Sequence, residues 1–164
     1  MARRAFFSFH YDADNWRAAQ IRNMRLIEGN RPATDNDWES IKRGGDRAIE
    51  KWINDQMQGK SVVIVLIGSG TAGRKWIDYE IKKAWSDRKG LFGIYIHNLL
   101  NRNGFQSRKG KNPFGEFTFN NRPFSDIINS YDFPYSDSKM IYACIRSKMA
   151  DWIEEAINIR ARYS

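Results

Sequence analysis

The distribution of apolar and polar residues along the chain predicts alternating strands and helices. The clearest strand covers residues 61–67, where one serine is followed by six consecutive aliphatic residues. Because this run is apolar at every position, it predicts a strand buried on both faces, as in the centre of a parallel sheet. Further strands are predicted at residues 4–10 and 91–97, and weaker ones at residues 24–27 and 130–133.

Apolar residues at helical spacing predict four helices. Asp14 is expected to cap the first helix, and Gly44 and Gly45 are expected to interrupt the second and to mark a kink. The predicted helices cover residues 15–23, 37–59, 72–88 and 137–161. The apolar face of the last helix consists of Ile141, Ile145, Met149, Trp152, Ile153, Ala156 and Ile157.

This order of elements predicts a doubly wound α/β fold, with a mostly parallel, five-stranded sheet and helices on both faces. We expect a single domain over residues 1–164, with a long polar loop at about residues 98–123. Ligands of such folds bind beyond the carboxyl ends of the strands. The loops that follow His10 and Ile67 are therefore expected to flank the binding crevice.

Composition narrows the classes of function. A single cysteine, Cys144, and two histidines argue against a disulfide framework and against a metal cofactor. The net charge of +8 is spread along the chain, and its densest stretch, residues 102–111, is interpreted first as a solvated loop and second as a phosphate-binding arm. Nucleic acid is an unfavoured partner because no basic stripe with interleaved aromatic residues is present. No apolar run approaches the ~18 residues that span a membrane, so a cytoplasmic protein is expected.

A candidate catalytic carboxylate, Glu80, lies on the helix that follows the central strand. On a helical wheel of ~100° per residue, Glu80 falls at the edge of the apolar stripe, on the same flank as Trp76. A carboxylate that faces the crevice there can stabilise a ribosyl cation as a pyridinium group leaves. Spacing alone favours the alternative, in which Glu80 is a surface residue paired with Lys83 or Lys75.

Two other features lie at the edge of the predicted crevice. Residues 68–73 match the G-x-G-x-x-G pattern, but a dehydrogenase requires an acidic residue ~20 positions later, and the next strand ends in His97 and Asn98. The turn is therefore interpreted either as a phosphate-binding helix N-terminus or as a flexible turn. His10 is interpreted either as a ligand contact or as a structural residue.

Five blocks of sequence occur in an order that is typical of one protein family. They cover residues 4–11, 65–68, 71–81, 93–98 and 110–114. Together they resemble the Thoeris TIR-like family, which includes the anti-phage protein ThsB, and a weaker match continues through residues 152–156. Five ordered blocks are more specific than any single motif.

The resemblance implies a flavodoxin-like TIR fold and an enzyme that responds to a phage-derived trigger. NAD is then the substrate, no cofactor is needed, and the product is a cyclic ADP-ribose isomer that activates a separate NAD-depleting effector, ThsA. The family's catalytic glutamate lies in a W-x-x-x-E stretch, and this position corresponds to Glu80. Roles as neighbours of the nucleotide carry over to Phe9, His10, Ser69 and Trp76.

The chain also departs from the family pattern. Residues 30–38, where TIR domains place a loop over the ligand, cannot be aligned with that pattern. The resemblance therefore implies nothing secure about ligand gating or about assembly into a homo-oligomer. The alternative function within the same fold is a non-catalytic signalling module that acts through protein contacts.

Overall fold

A five-stranded parallel sheet organises the structure, a computed structural model that describes residues 3–25, 28–29 and 40–163. Its strands are β1 (Arg4–Ser8), β2 (Glu28–Gly29), β3 (Val62–Ile67), β4 (Gly90–Tyr95) and β7 (Ser130–Tyr131). They lie in the order β2-β1-β3-β4-β7, and every neighbouring pair is parallel. This arrangement confirms the predicted doubly wound parallel sheet and places the apolar run of residues 62–67 at its centre.

Four helices connect and cover the strands. They are α1 (Tyr11–Arg22), α2 (Gly45–Met57), α3 (Lys75–Ser86) and α4 (Ser138–Ala161). Residues 40–43 are also helical and end in a turn at Gly44, so the interruption predicted at Gly44 and Gly45 is found in the described part of this helix. Residues 37–39 lie outside the described part of the chain.

Alternation of side chains along the strands divides the core into two layers. The even-numbered residues of β3 pack with α1 and α4, and the odd-numbered residues pack with α2 and α3. Every residue of β3 is buried, as its continuous apolar sequence predicted. Helices therefore cover both faces of the sheet, and the predicted apolar face of α4 forms much of one layer.

The start of α1 differs from the prediction. The helix begins at Tyr11, and His10 occupies the N-cap position. The prediction that Asp14 caps the helix is wrong, because Asp14 lies within the first turn and its backbone N–H donates to the carbonyl of His10 at 2.9 Å. Its carboxylate instead forms a buried ion pair with Arg17 at 3.0 Å. The Asp14 side chain thus takes part in a buried ion pair instead of the helix cap that the local sequence predicted.

Glycines account for two further shifts in element boundaries. Helix α3 begins at Lys75 rather than residue 72, because Gly73 has a φ of 80°, which interrupts a right-handed helix. Gly90 lies between the helix predicted at residues 72–88 and the strand predicted at residues 91–97, and it is the first residue of β4. A Cβ atom at Gly90 would lie 2.9 Å from the backbone nitrogen of Ile157, so glycine lets α4 pack closely on the strand.

The two weaker strands have mixed outcomes. Ser130 and Tyr131 form β7 within the predicted range of residues 130–133. Met24 lies in the turn after α1, Leu26 and Ile27 lie outside the described residues, and the edge strand β2 is found at Glu28–Gly29. The predicted strand at residues 24–27 is therefore wrong at its described end.

The predicted polar loop at residues 98–123 contains more structure than a loop. It includes a short 3-10 helix (Pro113–Glu116) and an antiparallel hairpin of β5 (Thr118–Phe119) and β6 (Arg122–Pro123). Leu99 and Phe114 within it are fully buried. The segment is mostly polar, but its few buried apolar residues thus pack it against the core.

Candidate active site

A cavity of about 440 Å³ opens at the carboxyl end of β1, between α1, α2 and α3. Its volume falls within the range of small-molecule and cofactor sites. Phe9, His10, Trp76 and Glu80, four of the five residues singled out from sequence, line this cavity together. Chain positions that are about 70 residues apart therefore meet in one place, at the edge of the sheet where doubly wound folds bind ligands.

Glu80 lies at the floor of the cavity and is only 6 % exposed. The hydroxyl of Ser8, the last residue of β1, donates a hydrogen bond of 2.7 Å to Oε1 of Glu80. Burial raises the pKa of the Glu80 carboxyl to about 8, and the bond from Ser8 opposes this rise. At pH 7, below this pKa, the Glu80 carboxyl is therefore mostly neutral.

The surface-pairing alternative for Glu80 is wrong. Lys83 forms an ion pair with Asp87 at 2.9 Å, and Lys75 pairs with Asp46. Glu80 is buried on the inner side of α3 with Ile77, Ile81 and Ala84. A buried carboxylate on an apolar helix face carries a desolvation cost, and such shifted groups are concentrated at functional sites.

The electrostatics of Glu80 suit a cationic ligand. A positive charge placed beside the carboxyl would favour its ionised form and lower its pKa again. Ionised Glu80 would in turn stabilise that charge strongly, because the apolar surroundings screen it poorly. The arrangement therefore couples ionisation of the carboxyl to the arrival or formation of a cation in the cavity.

Aromatic rings form much of the cavity wall. Phe9 and Tyr11 stack with ring centroids 6.3 Å apart, and Trp76 contacts Tyr79 on the same flank of α3. His10 is half-buried, and burial, followed by the nearby charge of Arg74, lowers the pKa of its imidazole. Flat apolar surfaces of this kind suit planar rings, and a neutral His10 is compatible with packing against them.

Four cations line the cavity: Lys42, Arg74 and Lys75 are exposed, and Arg22 is half-buried. Among the described lining residues, Asp12 is the carboxylate that accompanies them besides Glu80. This excess of positive charge favours a ligand with an anionic part. The cavity thus presents a carboxylate at its floor and a predominantly basic rim.

Ser69 does not join this group. It is exposed on the turn after β3 and is not among the residues that line the cavity. The backbone N–H of Gly68 in that turn donates to Oγ1 of Thr71 at 2.8 Å, and the Asp14 carboxylate lies directly against Gly68. A nearby carboxylate and an occupied N–H disfavour the phosphate-binding interpretation of residues 68–73, so nothing in this geometry supports a ligand role for Ser69.

Sequence reasoning missed Ser8, Arg22 and Arg74. Ser8 did leave a signal, since it is a polar residue that follows three apolar ones in a strand buried from Ala5 onward. No sequence signal distinguishes Arg22 and Arg74, because charged residues at helix ends are common on protein surfaces. Only the packing of α1 and α3 against β1 shows that both side chains reach the cavity.

Across residues 3–25, 28–29 and 40–163, no cluster of three histidine, cysteine or acidic side chains could hold a metal ion. None of the helices in this part of the chain is long and apolar enough to cross a membrane.

Comparison with known families then identifies the chain. The family described as Thoeris protein ThsB, TIR-like domain, matches residues 6–101, which is more than half of the chain. The chain belongs to this family. The matched range of the Thoeris TIR-like protein contains the last three residues of β1 and the whole of α1, α2, β3, α3 and β4, together with all five site residues predicted from sequence. The resemblance stated from the sequence blocks is therefore confirmed.

A curated relative extends this result. "Putative cyclic ADP-D-ribose synthase ThsB1" of Bacillus cereus (strain MSX-D12) is 38% identical over 119 residues. The aligned region covers 70% of this Thoeris TIR-like chain and 62% of the relative. The chain thus aligns with less than two thirds of the relative's length.

Proposed function

We propose that this chain is a TIR-type enzyme that cleaves the bond between nicotinamide and ribose in NAD and cyclises the remaining ADP-ribose. The observation that carries the proposal is Glu80, a buried carboxyl held by Ser8 at the floor of a cavity of nucleotide size. The family membership and the relative named as a cyclic ADP-D-ribose synthase support the same chemistry.

The first step breaks the C1′–N bond of NAD. The bonding electrons leave with nicotinamide, which becomes neutral, and positive charge develops on the ribose. Glu80 is ionised by the positive charge of the bound pyridinium and then stabilises the ribosyl cation. Because Ser8 occupies Oε1 of Glu80, the other carboxylate oxygen is the one available to the ribose.

The second step closes a ring rather than adding water. A nucleophilic atom elsewhere in the ADP-ribose forms a new bond to C1′ and loses a proton. The aromatic wall that includes Phe9, Tyr11 and Trp76 favours this outcome, since planar rings hold the adenine close and exclude water from the cation. A wetter cavity would yield linear ADP-ribose instead.

The biological setting follows from the family. We propose that the product acts as a signal in anti-phage defence and activates a separate NAD-depleting effector of the ThsA type. NAD serves as substrate, no cofactor takes part, and the reaction takes place in the cytoplasm. The phage-derived trigger controls turnover, because constitutive loss of NAD would harm the host.

The proposal is tested by Glu80→Gln, which keeps the size of the side chain and removes its charge. Protein from infected and uninfected cells is incubated with NAD, and nicotinamide and cyclic products are measured by mass spectrometry. We expect the activated wild type to release both and Glu80→Gln to lose both, while Glu50→Gln, an exposed change on α2, behaves as wild type.

Two results would overturn the proposal. A folded Glu80→Gln protein with wild-type turnover would show that the carboxylate is not catalytic. No turnover by the wild type under any condition, infection included, would favour the non-catalytic signalling module.

A further inference from the structure

Arg22, on the last turn of α1, places a half-buried guanidinium in the wall of the cavity that contains Glu80. Its Cζ atom lies 5.6 Å from the centroid of the Phe9 ring. Burial lowers the pKa of this group from its ordinary value, although an arginine of this kind stays charged at neutral pH. A guanidinium that has lost part of its hydration gains from an anionic partner.

The other cations of the rim have partners that Arg22 lacks. Nε of Arg74 donates to the carbonyl of Gly70 at 2.7 Å, and Lys75 pairs with Asp46. Among residues 3–25, 28–29 and 40–163, no carboxylate lies within ion-pair distance of the Arg22 guanidinium. A cation–π contact with Phe9 and an electrostatic interaction with Tyr11 are the interactions that the described residues offer it.

This environment suits the recognition of a phosphate group. A guanidinium presents its N–H donors in one plane, and a cation–π contact with an aromatic ring attracts its charge without consuming those donors. The paired donors match the oxygens of a phosphate, with which arginine forms strong bidentate hydrogen bonds. Placement on a helix that also forms the cavity wall makes the group less mobile than a side chain on a loop.

We propose that Arg22, held by Phe9, binds the diphosphate of the substrate and so selects dinucleotides over nicotinamide riboside. This inference rests on the proposed cleavage of NAD, because it assigns the anionic part of that same ligand. Glu80 acts at the ribose carbon that loses nicotinamide, and Arg22 acts at the phosphates on the other side of that ribose. The two residues therefore have separable effects on chemistry and on binding.

The experiment compares Arg22→Gln and Arg22→Lys with Arg146→Gln, a control that removes an exposed charge from α4. Steady-state kinetics are measured with NAD and with nicotinamide riboside, which has no phosphate. For Arg22→Gln we expect KM for NAD to rise roughly 10- to 100-fold, as for a lost charged hydrogen bond, while kcat changes little. Turnover of nicotinamide riboside and the behaviour of the control remain at wild-type levels.

Binding of ADP-ribose, measured by calorimetry, provides a readout that does not depend on turnover. Arg22→Gln is expected to weaken the affinity for ADP-ribose by the same factor as it raises KM for NAD. Arg22→Lys is expected to weaken that affinity by less, since lysine keeps the charge without the planar pair of donors. If Arg22→Gln does not fold, the ADP-ribose affinity of Arg22→Lys tests the assignment, and we expect that affinity to fall. Unchanged ADP-ribose affinity in the folded variants would overturn the assignment of Arg22.

The two proposals can fail separately. If wild-type protein never cleaves NAD but binds ADP-ribose in a manner that depends on Arg22, the cleavage reaction fails and the phosphate site stands. If Glu80→Gln abolishes cleavage while Arg22→Gln changes neither KM for NAD nor ADP-ribose affinity, the cleavage reaction stands and the phosphate site at Arg22 fails.

Discussion

Replacing Glu80 by glutamine should stabilise the protein, and the gain should depend on pH. The folded-state pKa of the carboxyl is about 8, above its ordinary value of 4.5. A carboxyl whose pKa is raised by folding binds its proton more tightly in the folded state, so unfolding becomes easier as pH rises between these two values. Below about pH 4.5 both states are protonated, and the effect disappears.

The size of the effect follows from the shift. One pKa unit corresponds to about 1.4 kcal/mol, so ionisation of Glu80 on unfolding lowers the free energy of unfolding by about 3 kcal/mol at pH 7. The loss reaches about 5 kcal/mol above pH 8. Glutamine has no proton to lose and keeps a hydrogen-bonding group near Ser8, so its stability lacks this dependence. For a chain of this length, about 3 kcal/mol corresponds to a shift in Tm of about 6–12 °C.

Thermal unfolding of both proteins from pH 5 to pH 9 checks this prediction. We expect the two Tm values to be similar near pH 5 and to diverge steadily as pH rises, with Glu80→Gln the more stable. The other titrating groups, including His10, are the same in both proteins, so their contributions cancel in the difference between the two Tm values. Glu50→Gln serves as the control because Glu50 is exposed on α2. Parallel curves for wild type and Glu80→Gln would refute the claim that burial controls this carboxyl.

Two further substitutions probe the support of the site and the packing of the core. Ser8→Ala removes the bond that lowers the pKa of Glu80, so the rising limb of the kcat/KM profile for NAD should move to higher pH, and an unmoved limb would argue against Ser8 as a positioning residue. Trp152→Ala should lower the free energy of unfolding, measured in urea, by roughly 3–5 kcal/mol. The reason is that Trp152 is buried and stacks on Tyr131 with ring centroids 4.2 Å apart. Trp16→Ala is its matched control, since Trp16 is 52 % exposed, and equal losses in the two variants would contradict this assignment of the core.

Local sequence was sufficient for the main elements. The apolar run of residues 62–67 identified a central strand, because a strand covered by helices on both faces must be apolar at every position. The spacing of apolar residues in α4 identified its buried face for the same kind of reason, since helical geometry alone decides which residues share a side. The ordered sequence blocks further indicated the family and the glutamate at position 80.

Element boundaries were less accessible from sequence. Asp14 has the short polar side chain of a typical N-cap, and a local pattern assigns it that role. Its position against Arg17 depends on how α1 packs beside the segment around Leu99, whose carbonyl accepts a hydrogen bond from the same arginine. Contacts between residues more than 80 positions apart cannot be read from the pattern around either of them.

The chemical character of the site was decided by tertiary structure. Sequence placed Glu80 at the edge of an apolar stripe, where spacing alone favoured a surface carboxylate paired with Lys83 or Lys75. Packing of α3 against β1 buries the carboxyl and brings Ser8 to it from 72 positions away. Packing of α1 beside the same strand adds Arg22 to the cavity, whereas Ser69 lies outside it. Desolvation depends on every element that surrounds a group, whereas periodicity describes only the element that carries it.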